Sequence, residues 1–147
     1  MIEKITPIRI LLADDDEDDR LFFTEACDEI QMSTSLTTCA DGQELMNYLH
    51  ACEQLPDILF LDLNMPLKSG MECLTEIRQS PKLKNIRISI YSTSNTEKDI
   101  NSAFVKGADR YIVKPSSYSE LQIVLKKALE INWEKHTRDR STFVLRP

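Results

Sequence analysis

The stretch "PDILFLDLNMP", residues 56–66, decides the fold. Ile58 to Leu61 is an unbroken apolar run with a polar residue on either side. A strand with one face in water alternates apolar and polar side chains. A continuous run of strand length reads instead as a strand covered on both faces, as in a parallel sheet flanked by helices. The run ends on a carboxylate, Asp62, followed by Leu63 and Asn64.

Outward from this run, strand-like and helix-like segments alternate. The residue pattern predicts strands over 8–13, 34–39, 57–61, 86–91 and 109–113, and helices over 17–31, 41–54, 70–80, 96–106 and 117–135. Phe22, Ala26 and Ile30 form the expected inner stripe of the first helix, Leu45, Leu49 and Cys52 that of the second, and Leu121, Val124, Leu125, Ala128 and Leu129 that of the last. Thr96 is the expected N-cap of the fourth helix and Gly107 its C-cap, while Pro81 stops the third. Five β-α repeats with short connections predict a doubly wound α/β fold: a five-stranded parallel sheet, flavodoxin-like order 2-1-3-4-5, with five flanking helices.

Length and composition narrow the function classes. A chain of 147 residues suits one domain with a real core. The formal net charge of −6 argues against a nucleic-acid binder, which needs a basic face. Cys27, Cys39, Cys52 and Cys73 show no C-x-x-C spacing and stand apart from His50 and His136, so zinc and dithiol readings fail and buried thiols are expected. No apolar run reaches membrane-spanning length and no leader is visible at the N-terminus, so the expected location is cytoplasmic. Gly42, Gly70 and Gly107 stand at helix boundaries and build no phosphate-cradling loop.

In parallel α/β sheets ligands bind outside the carboxyl ends of the strands. That rule gathers Asp14 and Asp15 after strand one, Asp62 and Asn64 after strand three, Ser92 and Thr93 after strand four, and Lys114 and Pro115 after strand five. Ala40 and Asp41 fall at the sheet edge. Converging Asp14, Asp15 and Asp62 need a cation or must take up protons. An all-oxygen set without His or thiolate suits Mg²⁺, with Mn²⁺ as the alternative. A carboxylate, a divalent cation, a lysine and a hydroxyl are the parts for phosphoryl transfer to a carboxylate, and Asp62 on the central strand is the natural nucleophile. The six consecutive acids Asp14 to Asp19 then divide. Asp14 and Asp15 stop a strand, Glu17 to Asp19 suit the positive end of a helix, and Asp16 sits between them as an N-cap. The plainer readings are a turn residue for Asp62, an exposed turn for Lys114-Pro115 and a core-edge aromatic for Tyr111.

Four motifs in this order, "LLADDD" (11–16), "LFLDLNMPLKSGMECL" (59–74), "YSTSN" (91–95) and "GADRYIVKP" (107–115), resemble the response-regulator receiver domains of two-component signalling, of the single-domain chemotaxis type. The resemblance spans about Ile8 to Ile131. It implies Asp62 as phosphoacceptor, Asp15 as direct Mg²⁺ ligand, and Asp14 as a ligand acting partly through water. It also implies metal ligation by the backbone carbonyl of Asn64, Ser92 as the hydroxyl that moves toward the phosphoryl group, Lys114 as its cationic partner and Tyr111 as the switch aromatic. A cis Lys114–Pro115 bond is a further implication. The implied function is that of a phosphorelay receiver and not a turnover enzyme. Its phosphodonor would be a sensor histidine kinase or phosphotransfer protein, and a downstream protein would read the surface of helix 4, strand 5 and helix 5. Departures are Ala13 where Val is usual, the bulky Tyr91 before the hydroxyl, and a second hydroxyl at Thr93. Ser94 and Asn64 fall where the family tunes dephosphorylation.

Two other classes remain. An aspartyl-nucleophile phosphatase or dehalogenase would want a second acid two residues past Asp62, where Asn64 stands. A receiver that no longer takes phosphate would not need the complete acid pair, acceptor, hydroxyl and lysine. The expected division is a receiver unit over 1–131 and a C-terminal extension over 132–147. The extension reads equally as a frayed tail or as an ordered element whose "TFVL" (142–145) packs on this chain or on a second copy in a homodimer.

Overall fold

A computed structural model of the chain describes residues 6–147. Residues 1–5, with the start of the expected receiver unit and the leader reading that falls on them, lie outside the described residues. Five strands, β1 (Ile8–Ala13), β2 (Thr34–Cys39), β3 (Ile58–Leu61), β4 (Arg87–Ser92) and β5 (Arg110–Val113), form one sheet. They alternate with α1 (Glu17–Glu29), α2 (Gly42–Ala51), α3 (Gly70–Gln79), α4 (Glu97–Val105) and α5 (Tyr118–Glu130). The order is β2-β1-β3-β4-β5 and every pairing is parallel, as expected.

The apolar run at β3 is central, and all four of its residues are buried. Successive side chains of a strand point to opposite faces. Leu59 and Leu61 join Leu11, Ile88 and Ile90 under α2, α3 and α4. Ile58 and Phe60 join Ile10 and Leu12 under Phe23 of α1 and Leu121 and Leu125 of α5. Each such side chain contributes about 1.5–3 kcal/mol when fully buried, so both faces of β3 hold helices to the sheet.

The helices start with side-chain caps. Asp16, Asp41, Ser69, Thr96 and Ser117 each accept a backbone N–H three residues on, and Ser69 with Glu72 completes a capping box. These caps satisfy donors that the first turn leaves free. Gly107 closes α4 at φ 103°. Cys27, Cys39 and Cys73 are buried free thiols, and burial pushes them up to about 12, 12 and 11. No described helix is long and apolar enough to cross a membrane.

Several boundaries and phases differ from expectation. The buried face of α1 is Phe23, Ala26 and Cys27, while Phe22 and Ile30 are half-buried. The helix leans on α5 as well as on the sheet, and Phe22 meets Tyr118 at 5.3 Å between ring centroids. Helix α2 ends at Ala51, so Cys52 is its C-cap and Met46 takes the inner position. Helix α5 ends at Glu130 and not at 135, because Ile131 turns to extended backbone (ψ 130°) and Trp133 packs on the α1/α5 side of the core. Strand β4 is shifted by one residue, which makes Ser92 its last residue. No cis peptide bond occurs among the described residues, so Lys114–Pro115 is trans, against the expectation. A trans bond before proline is favoured by about 0.5–1 kcal/mol over cis.

The segment after α5 is built onto the domain. A 3₁₀ turn (Arg140–Thr142) leads into a parallel bridge between Val144 and Tyr111, along the open edge of β5.

Candidate functional site

The register of the central strands sets the site. Ala13 pairs with Leu61, so the next residues, Asp14 and Asp62, come out side by side. Asp14 donates its N–H to the Cys39 carbonyl (3.0 Å) and Asp62 donates to the Ala13 carbonyl (2.9 Å), which carries the sheet one residue past each strand. Gly70 lies against this turn: a Cβ there would come within 2.1 Å of the Asp62 carbonyl oxygen. Asp14 is 0% and Asp62 5% exposed, while Asp15 is exposed. Carboxylate oxygens of Asp14, Asp15 and Asp62 lie within 4.8 Å of one another.

Lys114 reaches this cluster from β5. Its Nζ lies 2.8 Å from Asp14 Oδ2, 2.8 Å from Asp19 Oδ2 and 3.2 Å from Asp62 Oδ2. Burial works to lower the lysine, but its carboxylate partners outweigh it and hold Lys114 above its ordinary range. For Asp62, burial dominates and pushes the carboxyl up to about 6. Lys114 pulls it down, Asp14 raises it further, and the Asn64 N–H at 3.3 Å lowers it again. Asp14 Oδ1 accepts from the Asp16 N–H at 3.0 Å. Asp14 Oδ2 is buried, and its one close polar partner is the Lys114 ammonium at 2.8 Å. Three carboxylates this close, two of them buried and with one lysine to offset them, fit a hard divalent cation such as Mg²⁺ or Mn²⁺. Asn64 lies two residues past Asp62 and is exposed, at the rim of the same crevice.

Ser92 is fully buried at the end of β4, and its Oγ accepts the Ser94 N–H at 3.2 Å. Tyr111 on β5 is fully buried, and its hydroxyl donates to the Ser94 carbonyl at 2.8 Å. Ser94 Oγ in turn donates to Asp99 of α4 at 2.5 Å. The loop after β4 is thereby tied to a strand-end hydroxyl, to Tyr111 and to α4. Thr93 is exposed, so Ser92 is the hydroxyl that points inward.

The structure brings together Asp14, Asp15, Asp62 and Lys114, with Ser92, Asn64 and Tyr111 around them. Asp16 is the N-cap of α1, and Glu17 and Asp18 lie exposed in its first turn. Two members escaped the sequence reading. Asp19 was assigned only to the helix start, yet it pairs with Lys114. Its signal is phase: Asp19 and Phe23 are one turn apart, so the true inner stripe of α1 extends back to Asp19. Tyr91 places its ring 5.4 Å from the Lys114 ammonium and edge-on to Phe23, which accounts for a bulky residue before the hydroxyl.

Residues 10–126 match the response regulator receiver domain family. The response regulator Rcp1 of Synechocystis is 30% identical over 124 residues, covering 81% of this chain and 84% of that protein. A probable methanogenesis regulatory protein, FilR2 of Methanothrix harundinacea, is 26% identical over 92% of this chain and 91% of its own. The crystal structure of the phosphorylated cyanobacterial phytochrome response regulator RcpA superposes with a TM-score of 0.80 at 33% identity, covering 90% of this chain and 98% of that one. The Mn²⁺-bound form of Rcp1 gives 0.75 at 28% identity, covering 89% and 97%. The chain belongs to the response regulator receiver family of two-component signalling.

Proposed function

We propose that this chain is a phosphorelay receiver that accepts a phosphoryl group on Asp62. The observation that carries the reading is the convergence of two buried carboxylates, Asp14 and Asp62, on one lysine, with an Asp15 carboxylate oxygen within 4.8 Å of theirs. Asp14, Asp15, Asp62 and the Asn64 carbonyl are the residues that would hold Mg²⁺. When bound, such a cation neutralises carboxylate charge and polarises the incoming phosphoryl oxygens. The phosphodonor is a phosphohistidine of a sensor histidine kinase or phosphotransfer protein. A free Asp62 oxygen attacks phosphorus, the P–N bond breaks, and its electron pair returns to the imidazole. Lys114 stays beside Asp62 Oδ2 and offsets the charge gained. The Ser92 hydroxyl donates to a phosphoryl oxygen, which favours the position of the Ser94 loop that the Tyr111 hydroxyl already braces.

The readout is a change on the surface of α4, β5 and α5 for a downstream protein, a two-state element biased by a local charge event. A cytoplasmic site of action fits this role. Asn64, standing where aspartyl phosphatases and dehalogenases want a second acid, favours a stoichiometric acceptor over a turnover enzyme. Two similar structures add support: that of RcpA is of the phosphorylated protein and that of Rcp1 is of its Mn²⁺-bound form.

The test is incubation with a small-molecule phosphodonor and Mg²⁺, read by intact mass. The wild type gains one hydroxylamine-sensitive phosphoryl group and Asp62→Asn gains none. Equal labelling of the two overturns the assignment, and repeated turnover of the donor at a rate independent of Asp62 favours an enzyme.

A further inference from the structure

The residues after α5 close on one side chain of the switch region. Arg138 lies over the Phe104 ring at 4.3 Å and donates Nε to the Ala108 carbonyl at 2.9 Å. Arg140 donates to Asn101 at 2.7 Å and pairs with Glu97 at 3.1 Å, both on α4. These contacts seat Phe143, which is 1% exposed, edge-on to Phe104 at 5.1 Å and tilted over Tyr111 at 6.1 Å. Tyr111 donates its N–H to the Phe143 carbonyl at 3.0 Å and accepts the Leu145 N–H at 2.9 Å. On an uncovered edge strand these outward backbone groups would face water. Here the ring and both backbone groups of Tyr111 are committed to the tail.

The far end of Tyr111 is committed to the site. Its hydroxyl donates to the Ser94 carbonyl, and the Ser94 N–H donates to Ser92 Oγ at the end of β4. A continuous path of contacts therefore runs from Phe143 through Tyr111 and Ser94 to Ser92. A ring fully buried between Phe143 and this loop cannot turn outward while Phe143 stays seated.

Resting on the phosphoacceptor reading above, we propose that Phe143 is a positioning residue for that site: it holds Tyr111 inward and thereby favours the arrangement of the Ser94 loop that receives the phosphoryl group on Asp62. Coupling between two sites is reciprocal. The seated tail raises the site's affinity for a phosphoryl group, and a bound phosphoryl group tightens the tail.

The test uses beryllofluoride with Mg²⁺ as the phosphoryl mimic, titrated calorimetrically into full-length wild type, Phe143→Leu, Phe143→Ala, Tyr111→Leu and the Tyr111→Leu/Phe143→Ala double variant. Circular dichroism sets a temperature at which each is folded, and Phe143→Leu keeps the site filled where the alanine variant fails to fold. Phe143→Ala weakens binding by about 5- to 10-fold, the lower end of typical coupling, and Phe143→Leu does so by less. In the Tyr111→Leu background the Phe143 substitution has no further effect. Affinity unmoved by either Phe143 substitution overturns the inference, and so does an equal loss in both backgrounds, since a merely structural Phe143 acts without Tyr111. A wild type that binds no beryllofluoride overturns the phosphoacceptor reading itself, whereas a binding wild type with unmoved variants overturns this inference alone.

Discussion

Two buried ion clusters in this molecule are built on opposite rules. Near the start of β5, Arg78 donates Nε to the Gly107 carbonyl (2.8 Å), Nη1 to the Lys84 and Ile86 carbonyls (2.9 and 2.6 Å) and Nη2 to Asp109 (3.0 Å). Asp109 also accepts the Ile88 N–H at 2.8 Å. One cation meets one carboxylate, and the remaining donors find carbonyls. At the other end of the sheet one lysine meets three carboxylates, with Asp15 beside them, so negative charge exceeds positive. Arg20 comes near but donates to the Asp14 backbone carbonyl and not to a carboxylate. The first cluster is closed and joins α3 to the sheet. The second has surplus negative charge that the fold alone does not neutralise, as expected where a site awaits a cation and a transferable group.

This contrast can be broken by substitution. The largest expected effect is on chemistry: Asp62→Asn removes phosphoryl incorporation, measured by intact mass, yet leaves the fold intact because it relieves surplus charge. Next, Asp109→Ala removes the counter-charge of half-buried Arg78 and the acceptor of the Ile88 N–H, and destabilises the fold by about 1–3 kcal/mol in urea denaturation. The folded fraction of that variant still labels at Asp62. If Asp109→Ala were neutral while Asp62→Asn unfolded the chain, the assignment of the two clusters would be reversed.

A third prediction concerns pH. Burial raises the Asp62 carboxyl from 3.8 to about 6, so the folded state holds that proton more tightly than the unfolded chain. The resulting stability is fully present below pH about 4 and is lost as pH rises through about 6. Melting temperature compared between wild type and Asp62→Asn isolates this contribution: the wild type loses relative stability from pH 4 to 6.5, and added Mg²⁺ flattens the difference at the upper end. The smallest effect belongs to Asp19. It is 37% exposed in its side chain, so Asp19→Asn changes stability by less than about 1 kcal/mol, and labelling at Asp62 persists with a modest change in rate.

Much of this site was legible because strand ends in a parallel sheet are determined by where apolar runs stop. Asp14, Asp62 and Lys114 each follow such a run directly, so reading the strands located the residues. Ser92 shows the limit of that rule: β4 includes it, and only its burial separates it from exposed Thr93. Asp19 is hidden in the sequence because Phe22, Ala26 and Ile30 make as regular a stripe as the observed Phe23, Ala26 and Cys27 of α1. Its acids also suit a helix N-terminus whether or not they reach the site. For the tail, the sequence offered an ordered "TFVL" as one of two equal readings but no partner for it, because Phe104 and Tyr111 lie more than 30 positions before Phe143 in the chain. No local period encodes a contact of that range. The trans Lys114–Pro115 bond shows that a family resemblance does not carry every backbone detail with it.

The most direct test of the central claim, that surplus carboxylate charge at one cluster marks the site, is a calorimetric titration of Mg²⁺ into wild type, Asp14→Asn, Asp62→Asn and Asp109→Asn. One cation binds to the wild type and to folded Asp109→Asn, and binding by Asp14→Asn and Asp62→Asn is strongly weakened. A wild type that binds no Mg²⁺, or equal binding by all four proteins, would contradict it.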